Sequence, residues 1–381
     1  VDTADLLAAS ASGLAGVALI GADCPRLDAD VMARVLDSGL SVICLVDRGD
    51  EATATRMLEW GAHVVVEIDP QELGRGIGDA VSAIHVHAEL DFRSPQQEHP
   101  QLDAALSDRE AQLICVWGPA GAPGRTSIAV GIADACAGAG LETLLIDADT
   151  WAPSIALTLG LADDGVGLAS ACRRALNGAL DTRSFHSVLR PLGDRLTVLS
   201  GIGRADRWTE VRRSALLTVL ARARSAADVV VIDCAAPLES DEELLFDTTA
   251  PRRNAAAFVS LEQATDIVVV GSADPIGLVR LVNGLSELAD LKPRGRMHVV
   301  ANRVRESMLG RNPNESVADV LSRHAGLDEV WCVPQDSAAF DHALREGCTL
   351  RELGYNSPAR QAIGALTAAV TGQRSTARRS A

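Results

Sequence analysis

The feature that most narrows the fold is an alternation along nearly the whole chain, in which short apolar, β-rich runs are separated by stretches of helical pattern. The runs are Val17–Ile20, Ser41–Val46, His63–Ile68, Leu113–Trp117, Thr143–Ile146, Leu196–Leu199, Val229–Ile232, Ile267–Val270 and His298–Ala301. Several are apolar at every position, as a strand must be when helices cover both faces of its sheet. This order predicts an α/β chain with a mostly parallel, doubly wound sheet.

A length of 381 residues suggests two or three domains at roughly 150 residues each. The break is expected at Asp91–Asp108, a polar stretch with Pro95 and Pro100 and no periodicity. The expected organisation is a smaller α/β domain over 1–90, a linker over 91–110, a larger domain over 111–372, and a flexible basic tail over 373–381 carrying Arg374, Arg378 and Arg379. Aromatic residues make up only 3%, so the cores must be built from Ala, Val, Leu and Ile. No apolar run reaches the roughly 18 residues of a membrane span, and no basic-then-apolar start suggests a secretory signal. The cysteines (24, 44, 115, 136, 172, 234, 332 and 348) are scattered without CxxC pairs, which reads as reduced thiols in a cytoplasmic core. The net charge of −16 argues against nucleic acid as a partner, because that binding is driven by neutralising phosphates.

The strongest local signal follows Leu113–Trp117. Gly118-Pro119-Ala120-Gly121-Ala122-Pro123-Gly124-Arg125-Thr126 leads into an Ala/Ile-rich helix running to about Gly138. Strand, glycine-rich turn and helix together present backbone N–H groups and a helix N-terminus to phosphate. Gly121 and Gly124 let the backbone wrap closely, while Thr126 would ligate Mg2+ and Ser127 continues the first turn. The strict GxxxxGK[ST] pattern is not met, since Pro119 stands at the first Gly and Arg125 at the Lys. A ligand-free strand–turn–helix therefore stays open at this point.

The next strand ends in Asp147-Ala148-Asp149, followed by Trp151-Ala152-Pro153-Ser154 and Leu157–Leu161. Here the chain resembles the MinD/ParA family of P-loop ATPases, and within it the CpaE-like proteins. The resemblance continues through Leu196–Gly201, Asp228–Asp233 with Cys234–Pro237, Ala301-Asn302-Arg303, and Val333-Pro334-Gln335-Asp336 with Ala343 and Gly347. It implies ATP/ADP and Mg2+ as cofactors, held by Gly121, Gly124, Arg125, Thr126, Ser127, Asn302 and Pro334. Asn302 would read the adenine edge, and Thr126, Asp147 and Asp233 would hold Mg2+ partly through water. Asp149 would orient the attacking water and Arg125 would stabilise phosphate charge. Each residue also has an ordinary structural reading: Asp147 and Asp149 as helix caps, Asp233 as a strand-end cap, and Asn302 as a turn former.

Departures from the family bear on turnover. The lysine that family members carry at the loop start is Ala120 here, and Pro123 removes one N–H from the cradle. Arg125 keeps a positive charge, but its planar fork is not equivalent to lysine. Lys292 is the only lysine in the chain, so a Lys-to-Arg exchange reflects a general bias; Ala120 does not. Whether ATP is hydrolysed stays open.

Residues 17–70 resemble the second half of a response-regulator receiver, a flavodoxin-like domain. Gly21 stands where the phosphoacceptor Asp belongs, Val46 at the Thr/Ser switch and Asp69 at the Lys, so the unit reads as a pseudo-receiver for docking, either abbreviated or with its true start upstream of Val1. His63, His85, His87 and His99 lack a carboxylate or Cys at ligand spacing and read as ordinary histidines.

The resemblance implies a CpaE-like positioning or assembly ATPase for pilus, secretion or septum-placement machinery. Its partners would be proteins of that apparatus, with a homodimer allowed and recruitment to membrane or pole through a partner. A pseudo-ATPase scaffold that binds nucleotide weakly or not at all is the alternative, and a ParA-like DNA partition ATPase ranks behind both.

Overall fold

The computed structural model describes residues 3–11, 15–25, 27–38, 40–69, 74, 76–78, 80–81, 111–161, 167–239, 251–354 and 357–372. The expected linker at 91–110, His85, His87, His99 and the tail over 373–381 lie outside the described residues. The chain divides into two compact units, one built around Val1–Leu106 and the other from Ser107–Ala175, Leu180–Ser240 and Pro251–Ala381.

In the first unit, strands β1 (Val17–Gly21), β2 (Ser41–Asp47) and β3 (Val64–Ile68) form a parallel sheet in sequential order. Helices Thr3–Ala11, Ala29–Asp37 and Glu51–Glu59 accompany them. Asp28 and Asp50 start the latter two by accepting the N–H of Val31 and Thr53, the usual reason for a short acidic side chain at that position. The core is aliphatic and sulfur-rich, centred on Ile20, Val31, Met32, Val35, Val42, Cys44, Val46 and Met57. His63 precedes β3, and its Nδ1 accepts the Val42 N–H at 3.1 Å, an ordinary strand-edge role. Gly21 and Val46 lie at or near strand C-termini, where the sequence placed them.

The second unit is an eight-stranded sheet of order β11-β10-β9-β4-β8-β5-β7-β6. Its strands are β4 (Gln112–Trp117), β5 (Thr143–Ala148), β6 (Arg190–Pro191), β7 (Leu196–Leu199), β8 (Val229–Cys234), β9 (Asp266–Ser272), β10 (Arg296–Val304) and β11 (Trp331–Pro334). Every pairing is parallel except β6 with β7. All the apolar runs read from the sequence are strands here, and the segments not foreseen are the two edge strands, β6 and β11.

Strand β5 and the central β9 are buried at every position, which accounts for their unbroken apolar runs. Ile128, Ile132 and Ala133, on the helix Arg125–Gly138, pack on the sheet together with Ile363 and Leu366 from the helix Pro358–Val370. At roughly 1.5–3 kcal/mol per fully buried aliphatic side chain, this many Val, Leu and Ile positions supply a large core without aromatic bulk. Chain connectivity reverses direction around β4: the path from β4 to β5 passes β8 on one side, and the path from β8 to β9 passes back across β4. In open α/β sheets the ligand crevice lies at such a switch point, beyond the strands' carboxyl ends.

Candidate functional site

The P-loop leaves β4 at that switch point, where β4 is flanked by β8 and β9. Its glycines are fixed by close approach. A Cβ on Gly118 would lie 2.1 Å from the Val270 carbonyl oxygen, so only glycine lets the loop leave the sheet here. Gly124 has φ of +88° and a Cβ there would lie 2.3 Å from Asn302 Nδ2. It also caps the helix Arg125–Gly138 without a side-chain bond, and the first turn closes with Ile128 N donating to Gly124 O at 2.9 Å. The N–H groups of Arg125, Thr126 and Ser127 therefore head the helix without intrahelical acceptors, the arrangement that suits an anion.

Arg125 folds over its own loop. Its Nη1 donates to the carbonyls of Gly118 at 3.2 Å and Pro119 at 3.4 Å, and its Nη2 stands 3.8 Å from Asp149 Oδ2. The guanidinium thus spans the hollow between the loop start and the carboxylate beyond β5.

Opposite it lies an acidic cluster built by strand register. Asp147 and Asp233 are direct partners on the adjacent parallel strands β5 and β8, and both are about 1% exposed. Burial, with the charge of Asp147 added, raises the Asp233 carboxyl well above the usual carboxylate range. Burial likewise raises Asp147, against the lowering effect of the N–H groups it accepts. Thr126 Oγ1 donates to Asp233 Oδ2 at 2.6 Å and lies 3.2 Å from Ser154 Oγ.

Asp147 and Asp149 also do the capping work that the simpler reading assigned them. Asp147 Oδ2 accepts from Ser154 N and Ile155 N, each at 3.0 Å, at the start of the short helix Ile155–Thr158. Asp149 Oδ1 accepts from Trp151 N and Ala152 N at 2.9 Å, which leaves Oδ2 toward Arg125. The two readings are compatible, because capping fixes the direction of each carboxylate.

Among the described residues no group of three or more His, Cys, Asp or Glu side chains is arranged to hold a metal by itself. The set formed by Thr126, Asp147 and Asp233 nevertheless fits Mg2+, which keeps several waters and takes one or two carboxylates together with substrate phosphate. Two buried acids facing each other across neighbouring strands are destabilised by their own charge, and a divalent cation relieves that repulsion.

Asn302 sits on β10 at 6% exposure. Its Nδ2 donates to Pro123 O at 2.9 Å and its Oδ1 accepts from Arg303 N. Its side chain is thus bonded to the P-loop and the adjacent backbone. Pro334 ends β11, beside β10. The structure brings Gly121, Gly124, Arg125, Thr126, Ser127, Asp147, Asp149, Asp233 and Asn302 to one sheet edge, with Pro334 at the far strand. Ala120 is exposed at the loop start and carries no charge toward it.

Sequence reasoning missed a support to this site. Arg253 stacks over Trp151 at 4.3 Å and Trp208 at 5.2 Å, and Trp151 Nε1 donates to Asn254 Oδ1 at 2.9 Å. Nothing in their spacing foretold that contact, which spans about a hundred residues of chain. A cavity of about 460 Å³ lies elsewhere, between helices Arg125–Gly138 and Pro358–Val370. It is lined by small residues together with Arg360, Gln361 and the Asp134–Arg351 ion pair, and it lacks the glycine-rich turn and open helix N-terminus of the P-loop edge, to which the chemistry is assigned.

No family model matches the chain. A protein of Guillardia theta named as a septum site-determining MinD is 27% identical over 236 residues, covering 60% of this chain and 77% of that one. The septum site-determining protein MinD of Pyrococcus horikoshii, solved with Mg-ADP, superposes with a TM-score of 0.53 at 18% identity, covering 68% of this chain and 96% of that one. A ParA family ATPase from Chlorobium tepidum superposes with a TM-score of 0.57 at 16% identity, covering 67% and 98%. With its strand order, its P-loop at the switch point and its acidic edge, the larger unit of this chain has the MinD/ParA P-loop ATPase fold.

Proposed function

We propose that the larger unit binds ATP and ADP with Mg2+ and acts as a nucleotide-dependent positioning ATPase. The observation that carries this reading is the meeting of Thr126 and Asp233 at 2.6 Å directly below an uncapped helix N-terminus. A hydroxyl and a buried carboxylate so placed serve a hydrated cation that accompanies phosphate. When bound, Mg2+ would neutralise phosphate charge. Arg125 offers a guanidinium to the phosphates, and Asp149, aimed by two backbone N–H groups, offers Oδ2 to orient water.

The matched relatives named for septum placement favour a positioning role, and the CpaE-like resemblance extends this to pilus or secretion machinery. In that reading the three parallel strands of the first unit dock a protein partner. Their sequential order is that of strands 3-4-5 in a flavodoxin-like sheet. Without a carboxylate at Gly21 the docking would be independent of phosphorylation. No described helix is long and apolar enough to cross a membrane, and in this reading recruitment to a membrane or pole runs through a partner.

Titration calorimetry with Mg-ADP and Mg-ATPγS, with phosphate release measured in parallel, tests the proposal. Micromolar or tighter binding that falls in Arg125→Ala, with phosphate release lost in Asp149→Ala, is expected. Binding untouched by both substitutions would sink the site assignment. A second reading, a scaffold that holds nucleotide without turning it over, is favoured by the uncharged Ala120; binding with no phosphate release would select it.

A further inference from the structure

The P-loop carries one cation of its own, Arg125, and an alanine where a second would stand. A different cation reaches the same loop from another element. Helix Pro275–Asp290 follows β9, and its Asp274 cap accepts from Gly277 N at 2.9 Å. This helix lies against the outer side of the loop: a Cβ on Gly284 would sit 3.0 Å from Pro119 Cβ and 3.3 Å from the Trp117 ring. One turn nearer its N-terminus, Arg280 runs across Gly121. A Cβ on Gly121 would meet Arg280 Nη1 at 2.0 Å, Cζ at 3.1 Å and Cδ at 3.7 Å. The side chain therefore lies along the glycine's bare face, and even a methyl group there would displace the guanidinium. Gly121 also has φ of +78°, so its backbone conformation requires glycine, and the bare face it leaves is the one Arg280 crosses.

Arg280 is exposed, and no hydrogen bond or ion pair to a described residue holds its guanidinium. This contrasts with Arg351, tied to Asp134 at 2.9 Å, and with Arg213, paired with Glu262 at 2.8 Å. A guanidinium resting on a phosphate-type loop, with its donors unspent, presents a fork that matches phosphate oxygens. Ala120, one residue from Gly121, supplies no charge. The same half of the loop meets two arginines of this chain, Arg280 at Gly121 and Arg125 at the Gly118 and Pro119 carbonyls.

We propose that Arg280 is a phosphate-contacting residue of the nucleotide site, supplying from the helix after β9 the second cation that the loop itself lacks. The proposal rests on the nucleotide-binding reading above and adds to it a specific donor. It makes the cationic half of the site complete within one chain. Binding would then need no charge from a partner copy.

The test is calorimetric titration of Mg-ATPγS into the full chain as wild type, Arg280→Ala and Arg280→Lys, at two salt concentrations. Thermal unfolding without nucleotide serves as the control for folding. Because Arg280 is exposed and bonded to nothing described, the unfolding temperature should not change. Affinity should fall about tenfold or more in Arg280→Ala, the loss of roughly 1.4 kcal/mol. Arg280→Lys should recover part of it, and the salt dependence of binding should be shallower in Arg280→Ala. A wild type that binds while Arg280→Ala stays within about threefold of it, or binds more tightly, overturns the proposal and leaves the nucleotide reading standing. A wild type that binds no nucleotide overturns both.

Discussion

Thr126 and Asp233 come from different elements of the sheet's carboxyl edge, yet the hydroxyl donates to the carboxylate at 2.6 Å. The first residue belongs to the helix after β4 and the second to β8, so the contact ties the phosphate loop to the acidic edge. Asp233→Asn keeps an acceptor for Thr126 but removes the charge. Mg2+ should then cease to strengthen ADP binding, while the metal-free protein should unfold at the same temperature as wild type or higher, because the cost of burying this carboxylate, and with it the repulsion from Asp147, is gone. Calorimetry with and without EDTA reads the first effect, and a melting curve reads the second. An undiminished Mg2+ effect in Asp233→Asn would remove this residue from the metal set.

Gly124→Ala should destabilise the fold as well as the site. The left-handed conformation at φ of +88° costs a side chain about 1–2 kcal/mol. The new Cβ would push Asn302 Nδ2 from its bond to Pro123 O, worth roughly 1 kcal/mol. A urea denaturation midpoint equal to that of wild type would contradict the close packing described for this glycine.

Asp266, on β9, is fully buried and ringed by donors: Gln112 Nε2 at 2.7 Å, His298 Nε2 at 2.9 Å and Arg296 Nη2 at 3.0 Å. Burial alone would raise its carboxyl, but the bonds from His298, Gln112 and Arg296 outweigh it and hold the group below its ordinary value. A depressed folded-state value means stability that is present above the unfolded-state value and is lost as pH falls through the folded one. Asp266→Asn should therefore cost about 1.5–3 kcal/mol at neutral pH, the range for hydrogen bonds to a charged group. The gap from wild type should close as the solution is acidified. A difference independent of pH would mean that the charge contributes nothing.

Ala120→Lys places a cation at the exposed loop start, where the resembling family carries one. If the site of one chain can serve a second copy, light scattering of this variant should show a dimer that appears with Mg-ATPγS and not with Mg-ADP. Wild type should show less of it. A mass that ignores nucleotide in both proteins would count against an ATP-bridged homodimer.

The strands of the central sheet were legible because burial on both faces forces unbroken apolar runs, and Thr143–Ile146 or Ile267–Val270 has no other good use. The edges were not. Arg190–Pro191 is a two-residue antiparallel strand containing a proline, and Trp331–Pro334 is mixed in character, so neither carries a periodic signal. In the site, Asp147, Asp149 and Asp233 could be found because they end strands. Capping was the ordinary alternative for Asp147 and Asp149, and both carboxylates do accept backbone N–H groups of the segment that follows. Arg280 could not, since an arginine on an amphipathic helix looks the same whether it faces water or a loop more than 150 residues away. The Trp151–Arg253–Trp208 stack was hidden for the same reason: contact between distant segments leaves no local pattern.

That stack has a practical consequence. Trp151 lies two residues beyond Asp149, and its backbone N–H is one of the two that hold the Asp149 carboxylate. Its indole is 46% exposed and touches a cation, which makes its emission sensitive to small displacements. With the other four tryptophans replaced, the chain would carry a built-in optical gauge of the loop that would position water, needing no attached dye.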